Sequence, residues 1–301
     1  MKRAMHDPAP SAAAPISVAA LYRFTRFDDY VHMREPLEQI CRNANLRGTL
    51  LLAAEGINGT IAGSQEQVAQ VLDHIRTLPG CADLDVKMSS ASTMPFQRMK
   101  VRLKSEIVTM GVTGVDPRAS VGTYVEPGDW NALISDPDTI IIDTRNEYEV
   151  AIGSFENAID PKTRSFRDFP AWFRNARESL MAKGKTPKVA MYCTGGIRCE
   201  KSTAFLKQEG VEDVYHLKGG ILAYLEKVPE ELSLWRGECY VFDQRVAIGH
   251  GLAAGTHAMC PDCGRAVSRD DVAAAFGHIS RACPVCGPAG ADKQADRNGA
   301  A

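Results

Sequence analysis

The spacing of apolar and polar positions predicts alternating strands and helices in the first third of the chain. Residues 16–24 read as a strand, and residues 28–45 carry apolar side chains at helical spacing. A second helix follows Ser64, a residue type that favours helix N-caps. Further strands lie between and after these helices, and the glycine-rich segment 55–59 predicts a turn before the third strand. The order over 16–110 is therefore β-α-β-β-α-β, which is typical of a ferredoxin-like fold.

A different alternation covers residues 122–234. Apolar runs at 139–143, 187–192 and 214–216 are each followed by a helical pattern or a glycine pair that opens one. Single strands that alternate with helices predict a parallel sheet with helices on both faces. The ligand of such a sheet lies at the carboxyl ends of its strands. We therefore predict a multidomain chain of the α/β and α+β classes.

The remaining segments are assigned by composition. Residues 1–15 predict a disordered leader, since no apolar core of a signal peptide follows the basic start. The Gly- and Pro-containing stretch 111–121 predicts a linker. A cysteine-rich module is expected over 235–287, and a disordered Gly/Ala/Asp-rich tail over 288–301.

One predicted strand alternates between basic and apolar residues. Its basic residues share one face, and Met99, Val101 and Leu103 share the other. The basic face consists of Arg98, Lys100, Arg102 and Lys104. Such a face can follow a phosphate backbone, or it can be the solvated side of a half-buried sheet. The pattern alone favours the second interpretation.

Composition excludes several classes of protein. Of 301 residues, 45% are hydrophobic and 24% are charged, as in ordinary globular proteins. The net charge of −2 argues against a general binder of polyanions, so that a nucleic-acid surface would be a local patch. No apolar run is long enough for a membrane span. The placement of the nine cysteines suggests metal binding and catalysis in a reducing cytoplasm rather than a disulfide framework.

The strongest chemical signal is the turn that follows the apolar run ending at Tyr192. Cys193 is followed by Thr194, Gly195, Gly196 and Ile197, and then by Arg198 near the start of a helical pattern. Backbone N–H groups and a helix N-terminus favour negative charge, so the pKa of the Cys193 thiol should fall. With Arg198 as a fixed positive charge at the rim, the turn predicts an anion-binding loop around a nucleophilic sulfur.

This loop resembles the active loop of the rhodanese superfamily, and the run 140–149 resembles the Asp-x-Arg strand of that fold. Dual-specificity phosphatases on the same fold have one more residue between Cys and Arg. The shorter loop here favours sulfur chemistry over phosphoryl chemistry. The resemblance implies that Cys193 and Arg198 are catalytic.

Five further motifs narrow the resemblance. In order along the chain, they are Glu55-Gly-Ile-Asn-Gly-Thr60, Pro95-Phe-Gln-Arg-Met-Lys-Val101, Glu106-Ile-Val-Thr-Met-Gly111, Phe166-Arg-Asp-Phe-Pro170 and Val241-Phe-Asp-Gln-Arg245. Together they resemble the rhodanese-domain tRNA uridine hydroxylases over residues 15–290. The resemblance implies oxygen-dependent formation of 5-hydroxyuridine at the wobble position, a tRNA anticodon stem-loop as partner, and an RNA-binding role for the basic strand face. The sequence indicates no oligomeric state.

For each of four residues around the loop, the sequence allows two interpretations. Cys199 either resolves a persulfide or disulfide formed at Cys193, or is simply a small buried side chain. Asp143 and Arg145 either support the site or form an ion pair that holds loops. Arg167 lies in an aromatic-rich segment that either stacks on a flipped-out base or packs on the sheet.

The C-terminal module contains two C-x-x-C pairs, and each pair is followed by glycine. Four thiolates at such spacing predict a structural zinc site of the zinc-ribbon type. Its ligands would be Cys260, Cys263, Cys283 and Cys286. The alternative is two pairs of free thiols.

Several points of mechanism stay open at this stage. The Cys193 thiolate either adds to C6 of uracil or itself carries activated oxygen or sulfur. The sequence has no dinucleotide fingerprint for NAD or flavin and no iron-oxygenase ligand pattern that we can identify. Other readings of the chain are a persulfide-carrying sulfurtransferase and a non-catalytic RNA adaptor.

Overall fold

The computed structural model describes residues 15–181, 187–260 and 263–268. Its N-terminal domain contains seven elements before residue 104. They are strand β1 (Ile16–Phe24), helix α1 (Tyr30–Asn43), strands β2 (Arg47–Ala53) and β3 (Gly56–Gly63), helix α2 (Gln65–Arg76), and strands β4 (Asp85–Ala91) and β5 (Met99–Leu103).

These strands form one sheet in the order β4-β1-β3-β2-β5. The first four pair antiparallel, and β5 adds to the edge parallel to β2. This is the predicted ferredoxin-like arrangement with one extra strand. The buried faces of α1 and α2 cover the sheet. Ser64 forms the N-cap predicted at the start of α2, and the structure adds a capping box with Gln67.

The start of β3 differs from the prediction. The glycine-rich segment 55–59 was expected to be a turn, but the strand already begins at Gly56 and runs between β1 and β2. A Cβ atom at Gly56 would lie 2.0 Å from the carbonyl oxygen of Arg23, and one at Gly59 would lie 2.1 Å from that of Thr49. The glycines therefore serve the close approach of neighbouring backbones rather than a turn.

The central domain alternates strands and helices as predicted. It comprises β6 (Thr123–Val125), α3 (Pro127–Ile134), β7 (Thr139–Asp143), α4 (Glu147–Val150), β8 (Gly153–Phe155), α5 (Phe169–Met181), β9 (Lys188–Tyr192), α6 (Ile197–Gln208), β10 (Val214–Leu217) and α7 (Gly220–Lys227). Four strands form a parallel sheet in the order β6-β10-β9-β7. This pairing confirms the predicted parallel sheet. Two apolar clusters contain side chains from its strands and from the helices around them.

The C-terminal segment contributes short strands: β11 (Trp235–Gly237), β12 (Cys239–Tyr240), β13 (Ala247–Ile248), β14 (His257–Met259) and β15 (Ala266–Ser268). Its first part packs into the central domain, since Trp235, Val241 and Ile248 belong to the same apolar cluster as Trp130 and Tyr192. The leader, the second C-x-x-C pair and the tail lie outside the described residues. Across the described ranges, no helix is both long and apolar enough to cross a membrane.

Candidate active site

Cys193 lies at the carboxyl end of β9, in the turn that leads into α6. Gly196 has a φ of +102°, a conformation that favours glycine. The N–H groups of Ile221 and Leu222, in the first turn of α7, donate to the carbonyl oxygens of Cys193 and Thr194 at 2.9 and 3.0 Å. The turn is therefore held from the side by α7 as well as by its own helix.

The Cys193 sulfur is set up to carry negative charge. Burial would raise its pKa, but the side chain of Cys199, the charge of Arg198 and backbone N–H groups lower the pKa of the Cys193 thiol to about 6. The N–H of Gly196 donates to the Cys193 Sγ at 3.1 Å. Burial raises the pKa of Cys199 well above its usual range, so that this neighbour remains a thiol. The predicted low pKa thus has a structural basis.

Arg198 was expected as a fixed positive charge at the rim of the loop, and the structure places it deeper. It is buried, and its Nη1 and Nη2 atoms lie 2.6 and 2.7 Å from the two carboxylate oxygens of Glu149. Thr194 donates its hydroxyl to the same carboxylate at 3.2 Å. Glu149 was missed by the sequence reasoning, although the pattern Asn146-x-x-Glu149 is the capping-box signal that places it at the start of α4.

Asp143 and Arg145 form a closed ion pair. Both side chains are fully buried, and the guanidinium also donates to the carbonyl oxygens of Glu149 and Gly153 at 3.2 and 2.6 Å. The Arg145 guanidinium carbon lies 5.1 Å from the ring centre of Trp235. These contacts match the alternative in which the pair holds loops, and neither residue lines the cavity described below.

A cavity of about 460 Å³ lies over Cys193, within the size range of small-molecule sites. Its floor includes Cys193, Thr194, Gly195, Ile197 and Arg198. The other walls come from the N-terminal domain, from the C-terminal segment and from Asn146, Phe166 and Leu222 of the central domain. Charged side chains from those walls are Asp85, Lys87, Lys104, Glu106, Asp243 and Arg245. The cavity therefore needs all three parts of the chain.

Two neighbouring residues of α6 attach the N-terminal domain to the loop. Lys201 is buried, and its Nζ lies 2.8 Å from a Glu55 oxygen and 2.6 Å from a Glu106 oxygen. The Glu200 carboxylate accepts the hydroxyl of Tyr22 at 2.7 Å. Burial raises the pKa of Glu200 to about 7, with a further increase from Asp85. These contacts give the Glu55 and Glu106 motifs a role in joining the domains.

The four basic residues in and beside β5 do not line one common hollow. Lys104 lines the Cys193 cavity, Arg98 and Lys100 line a second hollow beside it, and Arg102 is exposed but lines neither. Leu103 was expected on the buried face, yet it is 37% exposed, whereas Met99 and Val101 are buried. Leu103 is the last residue of β5, the edge strand of the sheet. RNA binding by this strand remains a prediction.

Arg167 is exposed on the short 3₁₀ turn before α5 and lines neither hollow. Its aromatic neighbours belong to the core: Phe169 and Phe173 are almost fully buried, and Phe166 reaches the cavity wall. Phe169 and Phe173 therefore pack in the core, as in the alternative in which this aromatic segment packs on the sheet.

Cys260 and Cys263 lie at the turn between β14 and β15, which pair antiparallel. The Gly264 N–H donates to the Cys260 carbonyl oxygen, and Gly264 has a φ of +69°. A hairpin turn that carries two cysteines and a glycine fits one half of a four-thiolate zinc site. The other two ligands predicted for this site, Cys283 and Cys286, lie outside the described residues, and zinc binding stays a prediction.

Comparison with known families matches both domains. Residues 16–107 match the UPF0176 acylphosphatase like domain, and residues 126–227 match the rhodanese-like domain. Three relatives are each named tRNA uridine(34) hydroxylase. The protein of Gluconobacter oxydans is 62% identical over 90% of this chain and 87% of its own length. The protein of Caulobacter vibrioides is 62% identical over 91% and 87%, and that of Mesorhizobium japonicum is 56% identical over 96% and 92%.

Proposed function

The chain belongs to the tRNA uridine(34) hydroxylase family, and we propose on this premise that it converts the wobble uridine of tRNA to 5-hydroxyuridine with Cys193 at the reacting centre. The observation that carries the proposal is the low-pKa thiol of Cys193 at the floor of a nucleotide-sized cavity. The names of the relatives favour this reaction over persulfide transfer.

In the first of two possible routes, the Cys193 thiolate adds to C6 of the uracil ring. The new S–C6 bond moves the C5=C6 electron pair to C5 and the O4 enolate. C5 then attacks an electrophilic oxygen of a peroxide-level oxidant, whose O–O bond breaks to release hydroxide. Loss of the C5 proton to hydroxide gives water, and departure of the thiolate from C6 restores the double bond.

In the second route, Cys193 itself carries the activated oxygen or sulfur. Both routes need the thiolate form, and both place C5 or C6 of uracil near the Cys193 sulfur. The N–H of Gly196 and the paired Arg198 stabilise that thiolate in either case. Molecular oxygen is the co-substrate that the family resemblance implies, and a two-electron reductant must bring it to the peroxide level before C5 can attack it.

The tRNA anticodon loop would enter between the N-terminal and central domains, both of which line the cavity. Extruding a base from its stack places it in a pocket for reaction. Lys87 and Lys104 line the cavity and supply positive charge for RNA phosphates. A zinc ion held by Cys260, Cys263, Cys283 and Cys286 would stabilise the C-terminal module. We place the reaction in the cytoplasm, where tRNA is found.

The test is nucleoside mass spectrometry of tRNA from cells that lack the protein and are complemented with wild type, Cys193→Ala or Cys81→Ala. The control, Cys81, is a buried cysteine of the N-terminal domain. We expect 5-hydroxyuridine to return with wild type and Cys81→Ala but not with Cys193→Ala.

Full activity of Cys193→Ala would remove the thiol from the chemistry. Loss of a thiolated nucleoside with unchanged 5-hydroxyuridine would favour the sulfurtransferase, as would the gain of one sulfur atom on Cys193 after thiosulfate treatment.

A further inference from the structure

A second hollow of about 450 Å³ lies beside the Cys193 cavity. It is lined by Phe96, Arg98 and Lys100 of the N-terminal domain and by Tyr240 and Phe242 of the C-terminal segment. Thr49, Phe96, Phe242 and Asp243 line both spaces. The two hollows are therefore adjacent, with Phe242 on their shared border.

Phe242 is unusual among the aromatic residues because its side chain is 58% exposed. It packs edge-on against Tyr240 at a ring distance of 5.3 Å, and Tyr240 packs in the same way against Tyr148. Met259, at the edge of the same hollow, is 42% exposed. Phe242 is therefore the last ring of the row Tyr148–Tyr240–Phe242, and its exposed surface is available for contact.

The exposure of Phe242 is not the result of a loose loop. Val241 before it belongs to the apolar core, and Asp243 after it forms a two-point ion pair with Arg245 at 2.9 and 2.6 Å. Arg245 also donates to the Ser89 hydroxyl at 2.8 Å, and the Gln244 N–H donates to the Pro95 carbonyl oxygen at 3.2 Å. The motif Val241–Arg245 thus fixes an apolar ring in an exposed position.

The charge around this ring suits a phosphate. Arg98 and Lys100 line the hollow, and within the described part of the chain neither forms an ion pair. The nearby carboxylate of Asp243 is already neutralised by Arg245. An exposed aromatic face beside two uncompensated cations is the arrangement that binds a base and its phosphate.

We propose that this hollow binds the anticodon-loop nucleotide next to the target uridine, with its base stacked on Phe242 and its phosphate near Arg98 and Lys100. The inference rests on the proposed function. When one base leaves the stack to enter the Cys193 cavity, its neighbour loses a stacking partner, and an aromatic ring at the border of the cavity can replace it. Phe242 is then a positioning residue that holds the loop with the target base extruded.

The experiment measures Kd for anticodon stem-loop RNA with wild type, Phe242→Ala, Phe242→Trp and the control Leu232→Ala. Leu232 is 62% exposed and lines neither hollow. Removing one aromatic stacking partner should raise Kd by about five- to a hundredfold in Phe242→Ala. Phe242→Trp should bind at least as tightly as wild type, and Leu232→Ala should be unchanged.

The stacked base is then identified with RNAs in which one loop nucleotide at a time lacks its base. With the RNA that lacks the stacked base, wild type and Phe242→Ala should bind equally, because the partner of the ring is already gone. An equal loss at every position, or no loss in Phe242→Ala, would overturn the inference while leaving hydroxylation by wild type intact. If wild type neither binds nor hydroxylates the RNA, the proposed function fails as well.

Discussion

Arg145 and Arg198 are both buried arginines that bind a carboxylate through two nitrogens, and their surroundings differ. Arg145 is enclosed by Asp143, backbone carbonyls and the Trp235 ring, with no contact to the cavity. Arg198 binds Glu149 and lines the cavity next to Cys193. The same pair of charges can therefore hold a loop closed in one place and stabilise a reactive anion in another. Access to the cavity distinguishes them.

The largest effect is expected where the pair is fully enclosed. Arg145→Met would leave the Asp143 carboxylate buried without a partner, which costs about 3–5 kcal/mol of unfolding free energy. Urea unfolding measures this loss. Arg118→Met is the matched control, because Arg118 pairs with Asp116 at the surface, and its loss should cost about 1 kcal/mol or less. Equal stability of both variants would contradict the comparison.

Arg198 should affect the reaction more than the fold. Arg198→Lys keeps a positive charge beside Glu149 but loses the two-point geometry, so the Cys193 thiolate is less well stabilised. We expect kcat/KM for uridine hydroxylation to fall by about 100-fold, while the unfolding free energy changes by roughly 1 kcal/mol. A variant that unfolds as readily as Arg145→Met, or retains full activity, would remove the distinction.

Glu200 is a third buried carboxyl group, and it differs from the arginine-paired Asp143 and Glu149. Its hydrogen-bond donors are tyrosine hydroxyls rather than a guanidinium. Burial raises its pKa from 4.5 to about 7, so its ionisation destabilises the folded state. The stability that the protonated carboxyl contributes is complete below the unfolded-state pKa and is lost as pH rises through the folded-state pKa.

Glu200→Gln should therefore be more stable than wild type above about pH 7, by up to about 3 kcal/mol. The difference should decrease towards about pH 5, where wild type holds its proton. Urea unfolding at several pH values measures it. A difference that is independent of pH would mean that the carboxyl does not titrate in this range.

The smallest effect concerns the thiol pair. Cys193 is expected to react with iodoacetamide at a rate that rises as pH passes about 6 and then levels off. Cys199→Ala removes the hydrogen bond from the neighbouring thiol, which should move that midpoint up by about one pH unit. Cys81→Ala should leave the midpoint unchanged. A Cys199→Ala profile identical to wild type would show that Arg198 and the backbone suffice.

The sequence predicted features that depend on local pattern. The strand before Cys193, the turn with Gly196 and the Ser64 cap each follow from a few consecutive residues. The partners of Arg198 and Lys201 could not be found in this way, because Glu149 and Glu106 are brought to them by the tertiary fold.

Neighbouring strands overrode local pattern in two places. Gly56 and Gly59 look like turn residues until β1 and β2 are seen beside them. Leu103 alternates as a buried position, yet it lies on an edge strand and is partly exposed. Pattern alone does not show which strand lies at an edge or which backbones approach each other closely.

The walls of the Cys193 cavity include Tyr22, from the first strand of the N-terminal domain, and Leu252, from the C-terminal segment. During synthesis, Cys193 and its loop therefore leave the ribosome well before the segment that completes their enclosure. A nascent chain that ends before Val241 carries the reactive loop without the wall formed by Val241, Phe242 and Ile248. The order of synthesis thus delays assembly of the complete cavity until nearly the whole described chain has been made.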